Sequence, residues 1–100
     1  MELTFKGEVW YWRGPAPFYF VTIPTAQGAK IKAVSAQVTY GWGVIPVTAK
    51  MGQSAWTTSL FPKDGSYVLP IKKVIREKES LEVGDIAKIT LSIELREPDI

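Results

Sequence analysis

The stretch from Trp56 to Asp85 limits the possible folds most, because it sets strand-forming runs against residues that cannot continue a strand. Thr57–Phe61 is β-branched and aromatic and reads as a strand, and Pro62, unable to donate to a ladder, is expected to end it. Lys63-Asp64-Gly65-Ser66 then places an Asp-Gly pair between two apolar runs, the strongest short-range signal for a hairpin. Tyr67–Leu69 is the return strand and Pro70 closes it. Pro70 is also favourable in a first helical turn, and behind it Ile71, Val74 and Ile75 fall at i, i+3 and i+4. The spacing predicts a short amphipathic helix whose outer face carries Lys72, Lys73, Arg76 and Lys78, with Leu81 and Val83 docking its end. Gly84-Asp85 turns the chain into Ile86–Leu95, where Ile89, Leu91, Ile93 and Leu95 alternate with Lys88, Thr90, Ser92 and Glu94, the pattern of a half-buried strand.

The same logic applied from the N-terminus gives a long strand over Glu2–Trp12, with aromatic residues on both faces near its end. Gly14-Pro15-Ala16-Pro17 breaks it, and Phe18–Ile23 is the next strand, stopped by Pro24. Thr25 to about Ala36 has Ala26, Ala29 and Ala33 near helical spacing and predicts a short helix, in which Gly28 costs about 1 kcal/mol relative to Ala and reads as a break. Val38–Tyr40 and Val44–Met51 are extended. Between them Gly41-Trp42-Gly43 suggests a bulge or a close backbone approach. Strand, Pro and helix recur at Val21–Pro24 and Tyr67–Pro70, which suggests two related halves.

The segments GWGVIPVTAKMG (41–52) and WTTSLFPKDGSYVLPIKKVIREKESLEVGD (56–85), with Phe5, Gly7, Val9 and Trp10, resemble the bacterial domain-of-unknown-function family numbered nineteen hundred and five over almost the whole chain. The resemblance implies a mainly β fold, a small closed double-split β-barrel with two short helices, and no established activity. It also implies an association with a bacteriocin-protection-like companion domain. Separately, GSYVLPIKKVIREKESLEVGDIAKI (65–89) is similar to the AbrB-like swapped-hairpin element of DNA-binding proteins. There the element comes from two subunits, whereas this chain is long enough to supply both halves.

Composition excludes several chemistries. The 100 residues suit one domain, 1–100, able to bury a core without staples. They contain neither Cys nor His, which removes disulfides, thiolate nucleophiles, the usual general base and the commonest zinc ligand. No metal and no cofactor is expected, and a Ser-His-Asp or Cys-His relay cannot be built. Ser59, Lys63 and Asp64 do not suggest catalysis, because no base or oxyanion cradle accompanies them. An enzyme would have to work with carboxylates and lysine alone, with Asp64, Asp85 or Glu94 converging on a pocket. No run approaches about 18 apolar residues and no charged leader precedes an apolar one, so a cytoplasmic protein with no membrane contact is expected.

The net charge of +2, with pI near 8.9, does not by itself indicate a nucleic-acid binder. From Lys63 to Glu79 five cations stand against three carboxylates, a modest local excess on a face that solvent alone would satisfy. Arg76, at the edge of the apolar face, is expected to pair with Asp85 as a clasp. Four Trp residues are many for this length. They either fill the barrel and cover its ends or form a stacking platform for a flat ligand, with Trp42 the best candidate for exposure. The candidate binding residues are therefore Trp42, Trp56, Lys63, Lys72, Lys73 and Arg76. The leading expectation is a non-catalytic binding module whose partner is a protein, a small molecule or a companion domain. The alternative is nucleic-acid binding through helix 70–79 and exposed Trp. Monomer and homodimer both fit, the dimer through edge pairing of Glu2–Trp12.

Overall fold

Two strands, each longer than any one partner, organise the fold. The computed structural model describes residues 1–14, 18–35 and 44–94. In them lie β1 (Glu2–Trp12), β2 (Phe18–Thr22), α1 (Thr25–Ala33), β3 (Ile45–Met51), β4 (Ser54–Lys63), β5 (Ser66–Pro70), α2 (Lys73–Lys78) and β6 (Ile86–Ser92). β1 pairs with β6 through Glu2–Glu8 and with β2 through Val9–Trp12. β4 does the same, pairing with β3 through Ser54–Leu60 and with β5 through Phe61–Lys63. The antiparallel pairs β2–β5 and β3–β6 close the order β1-β2-β5-β4-β3-β6 into a barrel. The chain is thus mainly β, a closed double-split barrel with two short helices. Because the order is closed, β1 has neighbours on both sides, and the edge pairing considered for a dimer finds no terminal strand among the described residues.

The strand order maps onto itself when β1, β2 and β3 are exchanged for β4, β5 and β6, which gives the suspected two halves a topological basis. The exchange axis passes between β2 and β5, where Val21 faces Leu69, and Ile23 N–H to Tyr67 C=O and Ile71 N–H to Tyr19 C=O extend the ladder at both ends. The strand handovers correspond too. Val9 and Leu60, where β1 and β4 change partners, are both fully buried. Inside the barrel the period-two pattern holds: Phe5 and Val9, Val21, Val47 and Ala49, Leu60, Leu69, and Ala87, Ile89, Leu91 and Ile93 belong to one apolar cluster.

Several local expectations need correction. Pro62 does not end β4, which runs to Lys63. Asp64 and Gly65, both at positive φ, form a two-residue turn closed by the Lys63–Ser66 pair. In such a hairpin the closing pair exchanges the hydrogen bonds, so the next pair, Pro62–Tyr67, needs no N–H toward β5. Nor does β3, whose register with β4 stops at Leu60, require one on the other side. The second helix starts at Lys73 rather than Pro70, which belongs to β5. Ile71 is therefore buried from an extended segment and only Ile75 from the helix, while Val74, counted with them by helical spacing, is 62% exposed. Val83 is exposed as well, and Leu81 alone packs on the core from that stretch. Gly28 is a contact rather than a break: an added Cβ would lie 2.1 Å from the Ser66 hydroxyl, which donates to the Ile23 carbonyl and seats α1 on β5. Val38–Tyr40, the Gly41–Gly43 bulge and Leu95 lie outside the described residues.

Candidate functional site

The outward face of the β1–β2–β5 surface does not have the polar character that strand alternation would give it. Val9 and Val21 point into the barrel, so Trp10, Trp12, Phe18 and Phe20 point out, with Trp10 opposite Phe20 and Trp12 opposite Phe18. Phe20 in turn lies beside Pro70, and Val68 sits between Thr22 and Phe61. Phe20 and Val68 are buried, yet neither belongs to the barrel core cluster. They form the floor of a separate outer groove of about 570 Å³, walled by Trp10 and Trp12 on one hairpin and Phe61 and Pro62 on the other. Under the two-fold exchange these walls correspond, since β1 is opposite β2 as β4 is opposite β5.

The aromatic walls are fixed by specific contacts. Trp10 packs on Phe20 at 5.2 Å between ring centroids, tilted by 40°, and its indole N–H donates to Thr22 Oγ1 at 2.9 Å. Phe18 stacks on Phe20 at 5.8 Å. The Trp12 ring lies over Gly14, where a Cβ would fall 2.3 Å from the ring, so a side chain at 14 would displace this wall. Trp12, Phe18 and Phe61 nevertheless remain 44–45% exposed. Two charged residues line the groove among the described residues, Lys63 and Lys72, and no carboxylate does. Lys63 Nζ stands 6.0 Å from the Trp10 ring centroid, at the outer limit of a cation–π contact, and 3.4 Å from Asp64.

The expected site residues divide accordingly. Lys63 and Lys72 come together at the groove, Lys63 as the last residue of β4 rather than a turn residue. Lys73 does not line it and stands 3.8 Å from Glu77 on the solvent side of α2. Trp56 is a correction: it is 6% exposed, part of the core cluster, and its indole N–H donates to the Pro70 carbonyl at 3.2 Å. Its position on β4 shares the inward phase of Leu60, so burial was already encoded in the strand alternation. Trp42 lies outside the described residues. Arg76 does not clasp Asp85. Its guanidinium carbon sits 3.6 Å from the Tyr19 ring centroid, its buried Nε has no hydrogen-bond partner, and Tyr19 packs on Tyr11 at 4.9 Å. Asp85 instead accepts from the Glu82 N–H at 2.8 Å.

The groove residues Trp10, Phe18, Phe20, Phe61 and Val68 were missed as a site, although their even spacing on facing strands was the available signal. Chemically the described lining of the groove offers apolar faces and two ammonium groups. Among the described residues no group of three or more His, Cys, Asp or Glu is placed to hold a metal ion, and no helix is long and apolar enough to cross a membrane. No curated protein matches the chain. Residues 5–91 match the family described as Domain of unknown function (DUF1905), and the chain belongs to that family.

Proposed function

We propose that the chain is a non-catalytic binding module whose ligand seat is the outer groove between the β1–β2 and β4–β5 hairpins. One observation supports this most strongly: an apolar cluster outside the barrel core, with floor residues buried and the wall aromatics Trp12 and Phe61 left nearly half exposed. Folding alone does not need such a cluster, whereas concave, mostly apolar surfaces with a few polar groups are the usual form of small-ligand sites, and about 570 Å³ is within their range. The test is ¹H–¹⁵N NMR of the Trp indole N–H signals during titration with a panel of small aromatic and aliphatic compounds. Ligands should shift the Trp10 and Trp12 signals and leave the buried Trp56 signal in place. A panel that moves none of them, or that moves Trp56 alone, would remove the groove as the seat.

A second reading, nucleic-acid binding, is favoured by one feature: Lys72 lines the groove while its neighbour Lys73, and Lys78, extend the positive surface along α2. Intrinsic fluorescence titration with single-stranded and duplex oligonucleotides at about 50 and 200 mM salt tests it, since phosphate contacts weaken steeply over that range. Saturable, salt-sensitive quenching that falls in Lys72→Ala/Lys73→Ala would favour this reading, and a flat response would leave the small-ligand seat.

A further inference from the structure

Resting on the groove as the ligand seat, we infer its ligand class: a small planar aromatic molecule carrying one anionic group, such as an aromatic carboxylate. Size, shape and charge support this together. Phe20 and Val68 form the floor, and the aromatic rings of Trp10 and Phe61 stand on opposite walls, which suits a body with two π faces. The charges lining the groove are all positive, Lys63 and Lys72, and both are exposed enough to meet an anionic group at the opening. The indole N–H of Trp10 is held by Thr22, and Trp12 and Thr58 also place an indole N–H and a hydroxyl on residues of the lining. Charge selectivity then falls to the two ammonium groups. Among the described residues of the lining a cation would meet two like charges and no carboxylate, and a neutral ligand would make no use of either ammonium group.

The occupant is a free small molecule rather than a polymer. The adjoining α2 surface that a phosphate backbone would follow carries Glu77 beside Lys73, 3.8 Å apart, and Lys63 already has Asp64 within 3.4 Å. Lys73, the first cation that would extend a phosphate track past Lys72, is thus partly neutralised by a carboxylate on the same surface.

The experiment uses the whole chain and two nearly isosteric probes, 1-naphthaleneacetate and 1-naphthaleneacetamide, by calorimetry and by the Trp indole NMR signals. The acetate should bind about five- to tenfold tighter at low salt, an advantage that shrinks at about 500 mM salt and drops by about threefold in each of Lys63→Met and Lys72→Met, as expected for exposed ion pairs. Equal affinity of the two probes, with both shifting Trp10 and Trp12, would overturn the anionic class and leave the groove as the seat. Failure of both probes, or binding that Trp12→Ala and Phe61→Ala leave unchanged, would overturn the seat itself. A ten-nucleotide oligothymidylate binding at least tenfold tighter than the acetate, through the same Trp signals, would overturn the small-molecule occupant. Folding of each variant is read from its NMR dispersion, and because all four substituted side chains are exposed, a folded variant is expected in every case.

Discussion

Val21 and Phe20 are neighbours in one strand and both are buried, but they are buried in different places. Val21 belongs to the barrel interior, where it faces Leu69 across the two-fold exchange axis. Phe20 lies on the outside beneath Trp10 and Phe18 and is absent from that cluster. The interior is closed on all sides by strands, whereas the outer cluster is closed on one side only and ends in half-exposed rings. Burial therefore takes two forms in this chain: the inner set is enclosed by the barrel, and the outer set is covered on one side and ends in half-exposed rings.

The largest expected effect tests that division directly at two adjacent residues of β4. Leu60 is fully buried in the core, and Leu60→Ala should cost about 2–5 kcal/mol, the transfer term plus a cavity that the closed barrel cannot collapse. Phe61, one residue on, is 44% exposed, and Phe61→Ala should cost under about 1 kcal/mol while weakening ligand binding. Urea unfolding of the two variants measures this. Equal losses of stability would mean that the outer cluster is a second structural core and not a seat.

A smaller effect should come from the clamp between α2 and the β3–β4 hairpin. Ser54, buried at the start of β4, donates to Glu79 Oε2 at 2.8 Å, and Glu79 Oε1 packs over Gly52, whose φ of +56° forms the turn. Ser54→Ala should lower stability by about 1.5–3 kcal/mol, the range for a hydrogen bond to a charged group, without affecting the groove. If the same substitution reduced ligand affinity, the clamp and the groove would be coupled through α2 and not independent.

Much of this division was legible in the sequence, and the rest was hidden for identifiable reasons. Strand alternation places Ile89 and Leu91 together on one face correctly because β6 has one closed face. The Asp64-Gly65 turn was legible because positive φ at both positions has few sequence solutions. Pro62 misled because a missing N–H ends a strand only where a partner requires it, and here neither neighbour does. Val74 misled because helical spacing was counted from Ile71, which is still extended when the chain leaves β5. The Arg76 clasp failed because charge pairing is only one way to satisfy a guanidinium, and the Tyr19 face was nearer. The groove itself depends on which strands become neighbours. β2 pairs with β5 some 48 positions away, and no local pattern brings Phe20 beside Pro70 and across from Phe61.

The next test concerns pH. Tyr67 lies opposite Pro62, one pair in from the Asp64-Gly65 turn, and burial pushes its phenol above the ordinary value of 10.0. The folded chain therefore keeps this proton at a pH where the unfolded chain has lost it. The stabilisation is complete below about pH 10 and falls as pH rises from there through the folded-state value. Urea midpoints measured from pH 8 to 11 should decline less in Tyr67→Phe than in the parent. Parallel curves would show that the hydroxyl is not desolvated.

The smallest effect is the most discriminating for the ligand, because Lys72 and Lys73 are adjacent and differ in surroundings. Lys72 lines the groove, while Lys73 pairs at 3.8 Å with Glu77, in the open and in the less favourable i,i+4 order. Removing an exposed pair of this kind changes stability by at most about 0.5 kcal/mol, so Lys73→Ala should leave the urea midpoint nearly unchanged. It should also leave naphthaleneacetate affinity within about twofold of the parent, where Lys72→Met lowers it about threefold. A drop at Lys73 equal to that at Lys72 would mean that the ligand reaches past the groove onto α2, which a small aromatic anion does not do and an extended polyanion does.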